Sequence, residues 1–410
     1  MYALNQNLRL GDIILVRGAA KHSKVIAEIT NGHFSHAMIA LENGVFLEAI
    51  TDSGVQRTSS LRVTFQNKSN VAVLRCNFPN QKIESQVLTY ISKNSAKYQG
   101  QKYNIIGAIQ STQAKDISQS SKGYFCSHLI ASIYADAGFP LLDKSAHKIT
   151  PNELLESVFL NDITEEIIIP ISNIEKNREK ASQLTFKCLD AGGTTLSQDA
   201  KNHRRFINDT AKYFRKAGLD VPNNVPEIPL ILLNESNTLN AKKVDYQISK
   251  IYKKIGINKY ISNNTSGVSD RSLVIAQVMA EFDENGEDCT HSLYQDYCYK
   301  FISTLSKRYM LVKHQQLSNR IHEQYQFRFF ELRLEYYTIA VNAINSLIEE
   351  FEYILKSIET RFPLHEEEFK KIKQIVSVSV IEELKDPEVR SALIISLGTS
   401  LNLKTLSSSE

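Results

Sequence analysis

Three residue types that support acyl chemistry lie within short apolar runs of this sequence. Cys126 lies in the run YFCSHLI, and His36 and Glu48 lie far upstream in the runs SHAMIA and FLEA. A cysteine thiolate attacks acyl carbon, a histidine moves the proton, and a carboxylate orients the imidazole ring. The three residues together predict a nucleophile, a base and an orienting group, provided that the fold brings them to one place.

Cys126 stands at the start of a predicted helix, in which Ile130, Ile133 and Ala137 share its face. A helix N-terminus and an imidazolium each favour the thiolate form of a cysteine. The first turn also presents backbone N–H groups that suit an oxyanion. The alternative interpretation is that Cys126 is a small buried hydrophobic residue on a helix that faces the core.

The relation between His36 and Glu48 depends on the loop that joins their strands. A three-residue loop 42–44 with Gly44 at positive φ pairs Met38 with Glu48, and it places His36 and Glu48 on one face as diagonal neighbours. A two-residue turn would put the two side chains on opposite faces. We therefore predict the odd-length loop and expect this mixed face to lie under the Cys126 helix, although a His–Glu pair on a sheet is also a common structural feature.

Five short segments, in order, resemble the permuted NlpC-type papain-like hydrolases of the YiiX-like branch. They are LGDIIL at 10–15, FSHAMI at 34–39, FLEA at 46–49, GQKYN at 100–104 and YFCS at 124–127. The likeness covers about residues 8 to 160, and the order of histidine before cysteine fits a rearranged papain-like core. It implies a Cys126 nucleophile, a His36 base and a Glu48 orienting residue.

The resemblance also implies a cleft tyrosine at Tyr103, and we predict Tyr124 and Ser127 as further substrate contacts. Asn104 stands where the family often has Asp, and His128 stands where it often has an acidic residue. The run from Cys126 to His128 is similar to the Cys-x-His run of lecithin:retinol acyltransferase-like enzymes. The reaction expected is therefore amide hydrolysis, with acyl transfer or lipid deacylation as the alternative, and a catalytically inactive binding or assembly protein as a second alternative.

Composition limits the partners and the compartment. The formal net charge is +3, from 48 Lys and Arg against 45 Asp and Glu, which indicates no nucleic-acid partner. The five cysteines are sparse and unpaired in spacing, which favours a reducing compartment. No Sec-type signal or transmembrane stretch is evident. We expect a cytoplasmic protein, or an effector delivered by a non-Sec route.

The sequence predicts an α+β fold with a permuted papain-like domain, in which an antiparallel sheet packs on helices, followed by an all-α C-terminal domain. The first domain is predicted at 1–175, with strands at 12–16, 36–41, 45–50, 55–57, 71–75 and 167–170. Helices are predicted at 22–30, 82–97, 125–137 and 151–158, the last capped by Thr150 with Glu153 three residues later.

Residues 176–240 are predicted to be a connector with a helix at 198–217, and 241–410 to be the all-α domain. Apolar residues at spacings of three and four predict one long amphipathic helix at about 314–361, ended by Pro363. A helical bundle or antiparallel hairpin would bury this stripe. The alternative is a coiled coil with a protein partner.

Other candidate sites are weaker. Cys289, His291 and Cys298 fit no standard zinc spacing, and the acidic run 283–288 lacks the glycine and glutamate positions of an EF-hand, so we predict a solvated loop between helices there. Neither GxxxxGK[ST] nor GxGxxG occurs. We expect no metal and no cofactor. Ser127 as a nucleophile has no better-placed base.

Overall fold

The computed structural model describes most of the chain up to residue 361. The described residues are 1–5, 7–18, 32–41, 44–51, 53–59, 63–104, 107, 123–171, 176, 187–193, 198–225, 227–236, 238–266 and 271–361. The predicted helix at 22–30 and Pro363 lie outside them. The described part is a mixed α+β structure with antiparallel sheets in the N-terminal half and helices in the C-terminal half.

Within the described residues, ten strands form two sheets. The strands are β1 (Tyr2–Leu4), β2 (Ile13–Val16), β3 (His36–Leu41), β4 (Val45–Ile50), β5 (Gly54–Ser59), β6 (Val63–Phe65), β7 (Val71–Cys76), β8 (Leu160–Asp162), β9 (Ile168–Pro170) and β10 (Lys187–Cys188). Six strands pair antiparallel in the order β5-β4-β3-β2-β7-β8, and four pair in the order β10-β6-β1-β9, in which only β10 runs parallel to its neighbour β6. All six predicted strands are present.

Helices lie in both halves of the described chain. They are α1 (Gln81–Asn94), α2 (Cys126–Asp136), α3 (Thr164–Ile167), α4 (Gln198–Lys216), α5 (Glu227–Asn234), α6 (Leu239–Ile255), α7 (Ile257–Ser266), α8 (Arg271–Tyr325) and α9 (Arg328–Arg361). Short 3-10 turns occupy Lys68–Asn70, Ser95–Tyr98, Ala146–Lys148, Glu153–Glu156 and Leu189–Ala191. The helices predicted at 82–97, 125–137 and 198–217 are thus confirmed within a few residues.

The helix predicted at 151–158 is wrong, since only one 3-10 turn forms there. Thr150 and Glu153 do exchange side-chain to backbone hydrogen bonds as a cap. Asn152, however, bonds both backbone groups of Phe34, and the Ser157 hydroxyl donates to the Leu141 carbonyl at 2.5 Å. These tertiary hydrogen bonds offer the local polar groups an alternative to helix continuation.

The six-stranded sheet is buried on both faces. One face, which includes Ile13, Ile39 and Leu47, shares a core with α1 and α2. The opposite face, which includes Met38 and Phe46, packs with apolar residues of the four-stranded sheet and of α3. Both faces therefore exclude water from the centre of the sheet, where Glu48 lies.

The long helix predicted at 314–361 is wrong as a single element. Helix α8 ends at Tyr325, Gln326 adopts a φ of 56°, and α9 begins at Arg328. The carboxylate of Asp245 on α6 accepts the backbone N–H groups of Arg328 and Phe329, each at 2.9 Å, and so caps α9. The spacing of apolar residues does not indicate this break, because apolar residues continue at intervals of three and four on both sides of the tight reversal.

Helices α8 and α9 form an antiparallel hairpin, one of the two arrangements predicted, although the reversal lies inside the helix that was predicted to be continuous. Arg308 Nε donates to Asn345 Oδ1 at 2.6 Å, and Gln315 Nε2 donates to Thr338 Oγ1 at 2.8 Å. Residues 283–288 lie inside α8, so the predicted loop is wrong. Gly286, the glycine of this stretch, lowers helix stability by about 1 kcal/mol. This loss is small beside the free energy gained when two long helices pack together.

The predicted connector 176–240 divides between the two halves. Strand β10 pairs with β6 in the N-terminal half. Phe206 and Phe214 of α4 and Ile228 of α5 share a core with α6 and α9. Helices α4 to α9 therefore form one helical region, called here the helical half. No helix in the described ranges combines the length and apolar character needed to cross a membrane.

Candidate active site

The hairpin of β3 and β4 brings His36 and Glu48 into contact. Met38 pairs with Glu48 and Leu41 with Val45, and Gly44 has a φ of 62°, so the predicted register is confirmed. His36 Nε2 lies 2.9 Å from Glu48 Oε2. The side chain of His36 is 20% exposed and that of Glu48 is fully buried. The carboxylate therefore holds the ring from inside the sheet.

Glu48 is supported by Gln56 of β5 and by Ser53 in the turn before that strand, neither of which the sequence pattern indicates. Gln56 lies opposite Glu48 in the β4–β5 register, and its Nε2 donates to Glu48 Oε1 at 3.0 Å. The Ser53 hydroxyl in turn donates to Gln56 Oε1 at 2.7 Å. Strand alternation places the polar side chain of Gln56 on the buried face. Its contact with Glu48 can be predicted only once the β4–β5 register is known.

Replacing Gln56 with leucine is expected to destabilise the protein and to loosen His36. The variant removes one donor from the buried Glu48 carboxylate, so the free energy of unfolding should fall by about 1–3 kcal/mol. Urea unfolding measures this loss. Gln66→Leu, at an exposed position, is the control and should change stability by about 0.5 kcal/mol or less. Equal stability of the two variants would show that Gln56 does not support Glu48.

Cys126 is the first residue of α2, with Phe125 as its N-cap. The first hydrogen bond of this helix runs from Leu129 N–H to the Phe125 carbonyl at 2.9 Å. The N–H groups of Cys126, Ser127 and His128 therefore have no partner within the helix, as expected for a first turn. Cys126 is 3% exposed. This arrangement offers N–H donors beside the sulfur.

Helix α2 is anchored along its length. The Ser127 hydroxyl donates to the Ile149 carbonyl at 2.7 Å, and the Tyr134 hydroxyl donates to the Gly11 carbonyl at 2.7 Å. Next to Gly11, the buried Asp12 receives two hydrogen bonds from the Arg75 guanidinium, at 2.8 and 2.6 Å. Burial raises the pKa of Asp12, and Arg75 opposes that rise. The segment at 10–12 is thus a structural anchor for the sheet and for α2.

The helix covers a different face of the sheet from the one expected. Cys126 and Ile130 pack with Ala37, Ile39 and Leu47, which form the apolar face and not the mixed one. The alternation predicted which residues share a face, but not which face the helix covers. His36 and Cys126 are each the first residue of their element. Their side chains meet where β3 and α2 begin.

Electrostatics couples the three residues. Burial lowers the pKa of His36, but hydrogen bonds to Cys126 and Glu48 and the charges of both groups outweigh that effect and raise it to about 10. His36 Nε2 contacts Glu48, which leaves Nδ1 for the sulfur. The imidazole is therefore protonated at neutral pH, as a general acid beside a nucleophilic sulfur requires.

Tyr103 and Tyr124 lie next to this centre. The two residues form an isolated parallel bridge. Burial, and then the charge of Cys126, raise the pKa of Tyr103, so its hydroxyl stays protonated and able to donate. Tyr124 is partly exposed, and its ring contacts those of Tyr98 and His128. Both positions agree with the predicted substrate contacts, which stay predictions.

The structure places Ser127 and His128 away from such a role. The Ser127 side chain is fully buried and bonded to a backbone carbonyl, so its hydroxyl does not face a substrate. The His128 ring packs against Tyr124 and Phe125. Burial, and then the charge of His147, lower the pKa of His128 to about 4. His128 is therefore neutral at pH 7, and its low pKa makes it a weak proton acceptor.

Two of the other described cysteines, Cys76 and Cys188, have thiols that are harder to ionise than usual. Burial, and then the charge of Glu84, raise the pKa of Cys76 to about 12. Burial and the Asp190 carboxylate raise the pKa of Cys188. Neither thiol is activated, so both serve as internal references for reactivity. Within the described ranges, no group of three His, Cys, Asp or Glu side chains is arranged to hold a metal ion.

Comparisons with protein-family models and with curated proteins find no match to this chain.

Proposed function

We propose that the chain is a thiol-dependent hydrolase of amide bonds that acts through Cys126, His36 and Glu48. The observation that carries the proposal is that one imidazole lies 2.9 Å from a buried carboxylate and also interacts with the thiol of a cysteine at a helix N-terminus. A structural His–Glu pair would not require a cysteine at the third position. The order of the three residues and the helix-on-sheet arrangement support a permuted papain-like domain of the NlpC type.

The reaction begins with attack by the Cys126 sulfur on the substrate carbonyl carbon. The N–H groups of the first turn of α2 hold the resulting oxyanion, and the Tyr103 hydroxyl is a further donor nearby. The protonated His36 gives its proton to the leaving amine, and the C–N bond breaks. A thioacyl-enzyme and a free amine result.

Water completes the cycle. The now neutral His36 removes a proton from water, the hydroxide oxygen attacks the thioester carbon, and the carboxylic acid leaves as the C–S bond breaks. Glu48 stabilises the imidazolium and keeps Nδ1 directed at the sulfur throughout. An amine or hydroxyl acceptor in place of water would convert the same site into an acyltransferase.

An acyl-adduct experiment tests the proposal. Mixing the protein with p-nitrophenyl acetate should give a stoichiometric burst of nitrophenolate and an acetyl group on Cys126, detected by peptide mass. Cys126→Ser should abolish the burst, and the matched control Cys188→Ser should retain it. Acetylation of Cys126 no faster than that of Cys188 would contradict an enzymatic role and favour a binding module.

The acyl group distinguishes the substrate classes. Cell extract is separated into a peptide fraction and a lipid fraction, and each is incubated with the protein before the mass of the Cys126 peptide is measured. We expect a peptidyl or amide-derived adduct from the peptide fraction. A fatty-acyl adduct from the lipid fraction would instead assign acyl transfer or lipid deacylation.

A further inference from the structure

Residues 99–104, called here the Tyr103 segment, connect the carboxylate end of the candidate site with the cysteine end. On one side the segment pairs with β5. Val55 N–H donates to the Gln101 carbonyl at 2.9 Å, and Gly100 N–H donates to the Val55 carbonyl at 2.8 Å. Val55 directly precedes Gln56, which supports Glu48. A shift of the Tyr103 segment would therefore move Gln56, which hydrogen-bonds to the Glu48 carboxylate.

On its other side the segment pairs with the residues before Cys126. Tyr124 N–H donates to the Lys102 carbonyl at 2.9 Å, and Asn104 N–H donates to the Tyr124 carbonyl at 3.1 Å. Tyr124 is two residues from Cys126. The same short segment thus fixes the approach to the nucleophile and carries Tyr103 beside it.

The helical half holds this segment through two side chains. Arg204 Nη1 on α4 donates to the Gly100 carbonyl at 2.8 Å, and Asn224 Nδ2 donates to the Gln99 carbonyl at 2.7 Å. Asn224 is fixed in turn, since its Oδ1 accepts Glu227 N–H at the start of α5 at 3.0 Å. Gly100 has a φ of 84°, and a Cβ there would lie 2.4 Å from the Asn223 carbonyl oxygen. The two halves are therefore in close backbone contact at this point.

The contact made by Arg204 has an energetic cost. Burial lowers the pKa of Arg204, and among the described residues its guanidinium pairs with no carboxylate. A partly buried cation that binds only a carbonyl stabilises a fold less than one paired with an acid, because desolvation is less well offset. Its partner is nevertheless the backbone that leads to Tyr103.

We propose that Arg204 and Asn224 are positioning residues for the thiol site, so that the helical half is required for full reactivity of Cys126. The proposal rests on the proposed function, because it assumes that His36 activates Cys126. Holding the carbonyls of Gln99 and Gly100 keeps β5 and Tyr124 at a fixed separation. This separation sets the distance between the imidazole and the sulfur.

The test measures the alkylation rate of Cys126 by iodoacetamide between pH 5 and 9, with peptide mass resolving each cysteine. Arg204→Met should slow alkylation about tenfold near pH 6 and by a smaller factor near pH 9. Arg204→Lys should restore most of the rate, because an ammonium can donate to the same carbonyl. Arg205→Met, an exposed neighbour on α4, is the matched control and should react as the wild type does.

Several outcomes would overturn the proposal. Wild-type rate and pH profile in Arg204→Met would do so, as would a slowed reaction that Arg204→Lys does not restore. If Arg204→Met is unfolded by circular dichroism, Asn224→Ser decides the matter, since it releases the Gln99 carbonyl and should slow alkylation at least threefold. An unchanged rate in His36→Ala would instead refute the proposed function, so the two failures are distinguishable.

Discussion

Replacing His36 with alanine is expected to slow acylation of Cys126 by about 100-fold or more. The variant removes the group that stabilises the thiolate and protonates the leaving group. An ordinary cysteine, with a pKa of about 8.5, is ionised to less than about 1% at pH 6, so the loss should be largest under acidic conditions. Stopped-flow release of nitrophenolate from p-nitrophenyl acetate measures the rate.

The control for this variant is His33→Ala. His33 is exposed and contacts the Ser69 carbonyl through Nε2 at 2.8 Å, so its removal should leave the acylation rate unchanged. His36→Ala also leaves the buried Glu48 without its cation, which destabilises a protein. His36→Gln keeps a donor for Glu48 but carries no charge, and it should be equally slow. A fast reaction in His36→Gln would show that His36 acts only through packing.

Replacing Glu48 with glutamine is expected to lower the pKa of His36 from about 10 and to reduce the acylation rate about tenfold. The amide keeps the size of the side chain but removes the negative charge that stabilises the imidazolium. Titration of the His36 ring signals by NMR measures this pKa. Glu156→Gln, at an exposed position, is the control. An unchanged His36 pKa in Glu48→Gln would show that the carboxylate is not the orienting charge.

The same variant has a defined effect on stability. The folded-state pKa of His36 is raised from its ordinary value of 6.5 to about 10, so the stability that protonation contributes is fully present below pH 6.5. It is lost as the pH rises through about 10. The difference in free energy of unfolding between the wild type and Glu48→Gln should therefore be largest near pH 6 and shrink toward pH 10. Urea unfolding at several pH values checks this trend.

Local patterns predicted the strands and the geometry of the His36–Glu48 pair. Strand alternation and Gly44 determine the hairpin register, because a change of one residue would turn Glu48 to the opposite face. The start of α2 at Cys126 likewise followed from apolar spacing. These features depend on residues that are close together in the sequence, so the spacing of residue types is enough to predict them.

Features that depend on distant residues were not predictable in the same way. The reversal at Gln326 is capped by Asp245, which lies more than 80 residues earlier in the chain. Gln56 requires knowledge of the β4–β5 register, and the contact of Arg204 with Gly100 joins the two halves of the molecule. Ser127, predicted as a substrate contact, instead turns its hydroxyl into the core, where it donates to the Ile149 carbonyl.

The pH dependence of Cys126 alkylation measures how strongly His36 and Glu48 activate this thiol. Iodoacetamide reacts with the thiolate, needs no knowledge of the substrate, and allows comparison with Cys76 and Cys188 in the same chain. His36→Ala should slow alkylation of Cys126 about tenfold or more at pH 6 and by a smaller factor at pH 9, because the imidazolium that stabilises the attacking sulfur is gone. Superimposable profiles for Cys126 in the wild type and in His36→Ala would contradict activation of this thiol by His36.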